Sequence, residues 1–464
     1  MKLYNIRKMC NAIKMFMKYK MKLTTAQMLV LGFAVIIAVG TILLMLPVSS
    51  RSGCKTSFVN AFFTATSASC ITGLVVFDTY TYWSMFGQLV LLALTQIGGL
   101  GFMTMGSVIA FLMRSKISFR QRLAMSESIG LDMTSGIVRM TQHILIGTFI
   151  FEAAGALILS VKFIPEFGLG GGIYKGVFHA VSAFCNSGID LMGEKQPFGS
   201  FCNYTDDWVV NITIMLLITV GGTGFFVWED IYRSKNYKSL SFHSKLVLTI
   251  NTALVIFGAA MIFFMDYHNP GTLGKLPFGT KVLASLFQSV ASRTAGFCTV
   301  NLSALSVGST FVMMILMFIG GAPGSTAGGV KTTTVGLLFF TVLASIRGSE
   351  DVNAFKHRIE HLAVFRAVTV VLMSLCVVVA GTLVLSMADP MYSFKEIVFE
   401  VISAFGTVGL TLGITPMLSA VSKVALALIM FFGRVGVVTI MLSLTLRGTK
   451  PNSKIRYPVG RVMI

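Results

Sequence analysis

Charge is what this chain has least of. Only 12% of its 464 residues are Asp, Glu, Lys or Arg, about half the ~25% usual in a soluble domain. So few charges cannot cover a surface that faces water on every side. With 55% hydrophobic residues and a mean hydropathy of +0.80, the alternative is an integral membrane protein. Acidic residues are the scarcer sign, 18 against 37 basic ones. The seven cysteines (Cys10, Cys54, Cys70, Cys185, Cys202, Cys298 and Cys376) are scattered without Cys-x-x-Cys spacing. They suggest neither a zinc site nor a disulfide framework. His-Glu-x-x-His, Gly-x-Ser-x-Gly and paired-carboxylate patterns are missing too, which argues against a membrane-embedded enzyme.

A formal charge of +19 elsewhere suggests nucleic acid, but the position of the charges decides otherwise. Lys2, Arg7, Lys8, Lys14, Lys18, Lys20 and Lys22 crowd the N-terminus, and further basic clusters lie at 114–139, 233–245, 347–366 and 447–461. Each adjoins an apolar run, as cytoplasmic loops do under the positive-inside rule. No separate basic domain is left to bind nucleic acid. The first apolar run, 23–50, is too long for a signal-peptide core.

Apolar stretches of spanning length occur at 25–47, 84–113, 141–162, 207–228, 246–265, 309–346 (interrupted), 367–388 and 418–446. Eight spans place both basic termini on one side, the cytoplasm. Four apolar segments too short to cross lie between them: FFTATSASCITGL (62–74), FHAVSAFCNSGI (178–189), LFQSVASRTAGF (286–297) and VISAFGTVGL (401–410). Each ends in a glycine and an apolar residue, and the glycines Gly73, Gly188, Gly296 and Gly409 recur roughly every 110 residues. A second glycine cluster follows each: QIGGLGF (96–102), VGGTGF (220–225), IGGAPGSTAGG (319–329) and FGRVGV (432–437). The expected architecture is all-α, with four pseudosymmetric repeats of span, re-entrant pore helix and glycine-notched span around a central pore. Repeats are expected at 24–113, 141–232, 246–346 and 367–446. Cytoplasmic loops join them at 114–140, 233–245 and 347–366, between a basic N-terminus (1–23) and a basic tail (447–464).

Non-helical backbone at membrane depth survives only where protein buries it or it lines a water-filled cavity. Glycine lets such a turn aim its carbonyls one way, and four turns about one axis form an oxygen ring able to replace the hydration shell of a monovalent cation. The expected filter is Cys70, Ile71, Thr72, Gly73; Asn186, Ser187, Gly188; Thr294, Ala295, Gly296; and Thr407, Val408, Gly409. No carboxylate falls among these residues, which argues against a divalent-cation filter. The neighbouring Arg293 is expected to hold its pore loop through carbonyls or a carboxylate, and Thr72, Ser187, Thr294 and Thr407 supply small hydroxyls.

The segments TATSASCITGL, SRTAGF, GGAPGSTAGGVKT and FGTVGLTLG together resemble the Trk/Ktr/HKT superfamily of potassium transporters, from about Lys22 onward. Within it the chain looks most like the Ktr-type membrane subunit, because the two additional N-terminal spans of Trk subunits are missing. Glycine at all four filter positions implies, by that resemblance, potassium over sodium. The resemblance also implies that Gly320, Gly321, Ala322, Pro323, Gly324, Ser325, Thr326, Ala327, Gly328, Gly329 and Lys331 form an intramembrane gate loop, with Arg434 reaching beneath the filter. A Walker phosphate loop does not fit this stretch, since Val330 separates Gly329 from Lys331. Pro323 and the glycines instead break the span.

Further implications are a homodimer with one pore per chain, and sodium-stimulated uptake. Control would come from a cytosolic ring of RCK nucleotide-binding subunits, because the loops here are too short for a domain of about 100 residues. No covalent cofactor is expected; potassium, and sodium with it, are transported ions, and nucleotide binds only the partner. Placement is the cell membrane, multi-pass, with the tail against the ring, the dimer mate or anionic lipid. Glu152 is expected to partner an interior arginine or hydroxyl, and His143 to lie at the interface. An alternating-access secondary transporter built on repeats is the rival mechanism.

Overall fold

The computed structural model of the chain describes residues 24–101, 137–234, 236–349 and 351–444. In the first repeat, α1 (Thr25–Met45) leads to the short helix α2 (Phe58–Ser69) and then α3 (Met85–Leu100). The second has α4 (Ile137–Phe184), α5 (Trp208–Gly222) and α6 (Phe225–Ser234). The third has α7 (Phe242–Asp266), α8 (Phe278–Ala291), α9 (Val307–Phe318) and α10 (Thr332–Ile346). The fourth has α11 (His361–Ala388), α12 (Phe394–Gly406), α13 (Ala420–Val435) and α14 (Val437–Leu444). A two-stranded hairpin, β1 (Asn353–Ala354) and β2 (His357–Arg358), precedes α11.

Helix α1 shows why these are membrane elements. Leu31, Val35, Val39 and Ile42 form an exposed stripe at helical spacing, while Ala26, Leu29, Phe33, Ile37 and Leu44 are buried on the other face. A helix apolar on all sides, yet half exposed, is solvated by lipid rather than water. Side-chain oxygens cap the starts: Thr24 with Gln27 and Ser393 with Glu396 form capping boxes, and Ser84, Asp207, Ser241, Ser306 and Ser419 each accept a first-turn N–H. These satisfy donors that a helix leaves unpaired at its N-terminus.

A carboxylate then brackets three of those serines. Asp266, ending α7, accepts from Ser306 N at 3.1 Å and Ser306 Oγ at 3.1 Å. Asp389, after α11, accepts from Ser419 N at 3.1 Å and Oγ at 3.0 Å. Asp230 does the same for Ser241, at 2.9 and 2.7 Å. In the third and fourth repeats the bracket ties the end of the first span to the start of the second.

The expected spans need correction in their continuity. Among the described residues four helices are long and apolar enough to cross a membrane: Ala26–Met45, Val138–Phe184, Phe242–Asp266 and His361–Ala388. The second of these carries its pore helix with it. It runs well past 162, through Pro165 and Gly168, and only Gly168 (φ 73°, ψ 170°) departs from helical angles. The second helix of each repeat is not a straight span. The stretch expected as 207–228 bends by 94° between Gly222 and Phe225, and the fourth breaks at Gly436 (φ 93°). The third is interrupted between Phe318 and Thr332, as its composition predicts. In the first, α3 ends at Gly101 (φ 79°), and residues 102–113 lie outside the described ones.

The bend after α5 has a visible cause. The Gly221 and Gly222 carbonyls, which a continuing helix would use, accept from Thr326 N at 3.2 Å and Ala322 N at 3.0 Å. Gly224 turns with φ 96° so that Phe225 N can donate to the Gly324 carbonyl at 2.9 Å.

Candidate ion path

Each pore helix ends in the same backbone device. Positive φ falls at Ile71 and Gly73, at Asn186 and Gly188, at Thr294 and Gly296, and at Thr407 and Gly409. A residue of ordinary φ sits between each pair. The positions equivalent to Thr72 and Ser187 are therefore Ala295 and Val408, not the hydroxyls of Thr294 and Thr407; those align with Ile71 and Asn186. Holding a β-branched residue at positive φ costs on the order of 1–3 kcal/mol, so the surroundings must enforce it. Thr72, Ser187 and Val408 donate their N–H to the Ser67, Ser182 and Ser403 carbonyls at 2.8, 2.8 and 2.9 Å, and Gly296 donates to Ala291 at 3.4 Å.

The four turns close into a ring. A Cβ added to Gly73 would overlap the Ser187 carbonyl oxygen; on Gly188 it would lie 2.5 Å from that of Ala295. On Gly296 it would lie 2.5 Å from the Val408 oxygen, and on Gly409 it would overlap that of Thr72. Repeat one therefore touches two, two touches three, three touches four, and four returns to one. No side chain fits inside this cycle.

The second glycine clusters serve the same close approach. Any Cβ on Gly98, Gly221 or Gly433 would overlap the carbonyl oxygen of Ser69, Phe184 or Phe405, the last turns of three pore helices. Behind the filter, His179 Nδ1 donates to the Lys175 carbonyl (2.7 Å) and its Nε2 accepts from Leu191 N (3.1 Å). Glu400, fully buried in α12, accepts from Thr411 Oγ1 at 2.8 Å and from Thr415 Oγ1. Both are braces from a pore helix to the chain just past its filter glycine, and neither was expected from the sequence.

On one side of the ring lies a cavity of about 570 Å³ whose wall includes Gly73, Gly188, Gly296 and Gly409. Its charged lining residues, among those described, are Asp78 and Asp190. Asp78 is buried and accepts from Thr81 N, Thr81 Oγ1 and Phe198 N at 2.9, 2.9 and 3.0 Å. Burial, with the nearby Asp78 carboxylate, pushes Asp190 up to about 7. The signal for both was present in the sequence, since each follows shortly after a filter glycine.

The segment between α9 and α10 is absent from that cavity's lining and bonds instead to the fourth turn and to the last turn of α4. Gly320, Gly321, Ala322, Ser325, Thr326, Ala327 and Gly328 are buried, and Pro323, Gly324, Gly329 and Lys331 partly so. Its neck is a parallel bridge of Ile319 and Val330, with Gly320 N donating to the Val330 carbonyl at 2.9 Å. Gly328 N donates to Thr407 Oγ1 at 3.1 Å, Gly329 N to the Gly433 carbonyl at 3.2 Å, and Thr326 Oγ1 to the Phe184 carbonyl at 3.4 Å. Lys331 Nζ folds back onto the Ala327 carbonyl at 2.6 Å.

Arg434 joins this segment to the first repeat, donating to the Thr326 carbonyl and to the Gly98 and Gly99 carbonyls at 2.5 and 3.2 Å. Arg293 donates to Asn251 Oδ1 at 2.8 Å, the Asn251 carbonyl at 3.3 Å and the Gly320 carbonyl at 3.1 Å. Among the described residues Glu152 meets neither an arginine nor a hydroxyl; its carboxylate accepts from Gln96 Nε2 at 3.2 Å. His143 is exposed and pairs with Glu229 at 3.0 Å.

Comparison with known proteins agrees with this arrangement. Residues 4–453 match the TrkH family, described as cation transport protein. The potassium/sodium uptake protein NtpJ of Enterococcus hirae is 39% identical over 450 residues, covering 96% of this chain and 98% of that one. The Ktr system potassium uptake protein B of Bacillus subtilis is 37% identical over 441 residues, covering 95% and 97%. The crystal structure of the potassium transporter TrkH from Vibrio parahaemolyticus shares the fold, with a TM-score of 0.71 over 92% of this chain and 86% of that one at 18% identity. The chain therefore belongs to the TrkH family of cation transport proteins, a family of multi-pass membrane transporters rather than enzymes.

Proposed function

We propose that the chain takes up potassium through a carbonyl filter formed by its four glycine turns, and that the segment 320–331 with Arg434 is the gate. One observation carries this reading: the closed cycle in which each filter glycine abuts the next repeat's carbonyl. A ring of neutral carbonyls suits a desolvated monovalent cation, and the acidic cavity on its far side raises local cation concentration. Glycine in all four repeats favours potassium over sodium. The loop crosses beneath the ring and bonds to the second and fourth repeats, and through Arg434 to the first. A cation cannot pass while it lies there.

The cavity side faces the outside and the basic clusters face the cytoplasm, with both termini inside and repeat boundaries at 24–113, 141–232, 246–346 and 367–446. The chain pairs as a homodimer, one pore each, on a cytosolic ring of RCK nucleotide-binding subunits, and sodium stimulates uptake. Relatives named as Ktr system proteins and as a potassium/sodium uptake protein support these assignments.

The test is rubidium-86 uptake into potassium-loaded liposomes holding the purified chain, competed by potassium, sodium and caesium. Strong competition by potassium with little by sodium is expected. Equal competition by sodium would remove the selective filter. A silent wild type is compared with a chain lacking 324–328: flux in the deletion supports the gate, and silence in both overturns the pore.

A further inference from the structure

The outer cavity holds two thiols that ion conduction does not use. The segments bearing them are bonded edge to edge. Phe201 N donates to the Cys298 carbonyl at 2.9 Å, Cys298 N to Ser200 Oγ at 3.4 Å, and Thr205 Oγ1 to the Thr299 carbonyl at 2.6 Å. Cys202 Sγ lies 4.0 Å from the Cys298 carbonyl oxygen. Both are partly exposed, and both line the cavity. Cys70 and Cys185 are buried, whereas Cys54 and Cys376 are exposed elsewhere.

We propose that Cys202 and Cys298 are a reversible redox pair whose disulfide staples the chain after the second filter to the chain after the third and slows ion entry. This rests on the reading that the cavity faces outward, where thiols meet oxidants. The oxidant is a peroxide. The Cys202 thiolate attacks one peroxide oxygen, the O–O bond breaks, and the leaving hydroxide takes up the thiol's proton as water. Cys298 sulfur then attacks the resulting sulfenic sulfur, the S–O bond breaks, and a second water leaves with the Cys298 proton. Two electrons pass from the sulfurs to the peroxide, and a thiol reductant returns them by exchange.

A disulfide bond of about 2.05 Å is shorter than any thiol–thiol contact, so closure draws the two segments together. Gly296 stands just before Cys298 and already abuts the Val408 carbonyl. Displacement there reaches the ring directly.

The experiment treats intact cells expressing the full chain with hydrogen peroxide, then with a membrane-impermeant maleimide, and reads peptides by mass spectrometry beside rubidium uptake. A Cys202–Cys298 linked peptide is expected, with both labels lost and uptake lowered. Dithiothreitol restores uptake, and C202S and C298S each lose the peroxide response. Separate alkylation of both cysteines after peroxide overturns the proposal, as does a linked peptide with unchanged uptake. If the maleimide labels them only in inverted vesicles, the outward assignment fails, and with it the proposal that oxidation outside the cell controls entry.

Discussion

Replacing Arg434 with alanine tests the proposed gate at the contact that ties its loop to the first repeat. The guanidinium bonds the Thr326 carbonyl in the loop and the Gly98 and Gly99 carbonyls at the end of α3. On the proposed gate reading, the Thr326 bond is the one a departing loop must break. A hydrogen bond to a charged group is worth about 1.5–3 kcal/mol net. At about 1.4 kcal/mol per tenfold, R434A shifts the closed-to-open ratio by roughly ten- to a hundredfold toward open. The assay is rubidium-86 flux in liposomes without any cytosolic partner, with the wild-type chain as the reference. R434K keeps the charge but offers one ammonium in place of a planar fork, so its leak falls between the two. Thermal unfolding in detergent shows whether each variant is folded. A folded R434A whose leak stays within about twofold of wild type, while the loop deletion leaks freely, would refute the role given to this arginine.

Three other perturbations test separate links. Gly409→Ser puts a Cβ onto the Thr72 carbonyl oxygen and 3.1 Å from the Gly73 Cα, at a φ of 89°; the ring must widen, and sodium should compete nearly as well as potassium in the uptake assay. An unaltered preference would place the selective ring elsewhere. Asp190 is pushed up to about 7 by burial and Asp78, so it is neutral below that pH and anionic above it. A unit charge beside the entering ion in water-like surroundings is worth a fraction of a kcal/mol, so uptake at low potassium should rise modestly from pH 6 to pH 8, and D190N should flatten it. Asp389 sits below the usual carboxylate range because, against the effect of burial, hydrogen bonds from Ser422 and Ser419 favour its anion. A depressed value stabilises the fold above the unfolded carboxylate's pKa and is lost as pH falls through the folded one. D389N should cost about 1–2 kcal/mol near neutrality, read as a lower Tm, and the difference from wild type should shrink in acid.

The fourfold repeat was legible because its glycines recur at one spacing, although what excludes a side chain at each is the neighbouring repeat's carbonyl. The break between Phe318 and Thr332 was legible from composition: Pro323 and five glycines cannot continue a helix. What stayed hidden depends on partners far away in sequence. The bend at Gly224 follows from Gly221 and Gly222 carbonyls being taken by Ala322 and Thr326, which no window around residue 224 contains. Glu152 finds Gln96, and Asp389 finds Ser419. Cys202 and Cys298 look unrelated until the second and third filters are side by side. Pro165 misleads in the opposite sense, since helical angles run through it and fail only at Gly168.

The bonding pattern also limits how filter and gate can act. The loop touches a residue two ahead of the proposed second filter (the Phe184 carbonyl), the one just ahead of the third (Arg293, through the Gly320 carbonyl), and Thr407 within the fourth. Thr407 is at once a positive-φ filter residue and the acceptor for Gly328 N. Releasing the loop therefore removes a constraint that helps hold a strained backbone, and an ion that stabilises the ring must in turn change the loop's affinity for it. Coupling between two such equilibria is reciprocal. If potassium in the filter favours the closed loop, an open-biased variant must bind potassium more weakly by the same factor. Measuring rubidium affinity in wild type and in Thr407→Val, which keeps the β-branched shape but removes the hydroxyl, tests this. A change in gating with no change in affinity would mean that the Thr407 bond does not link the two.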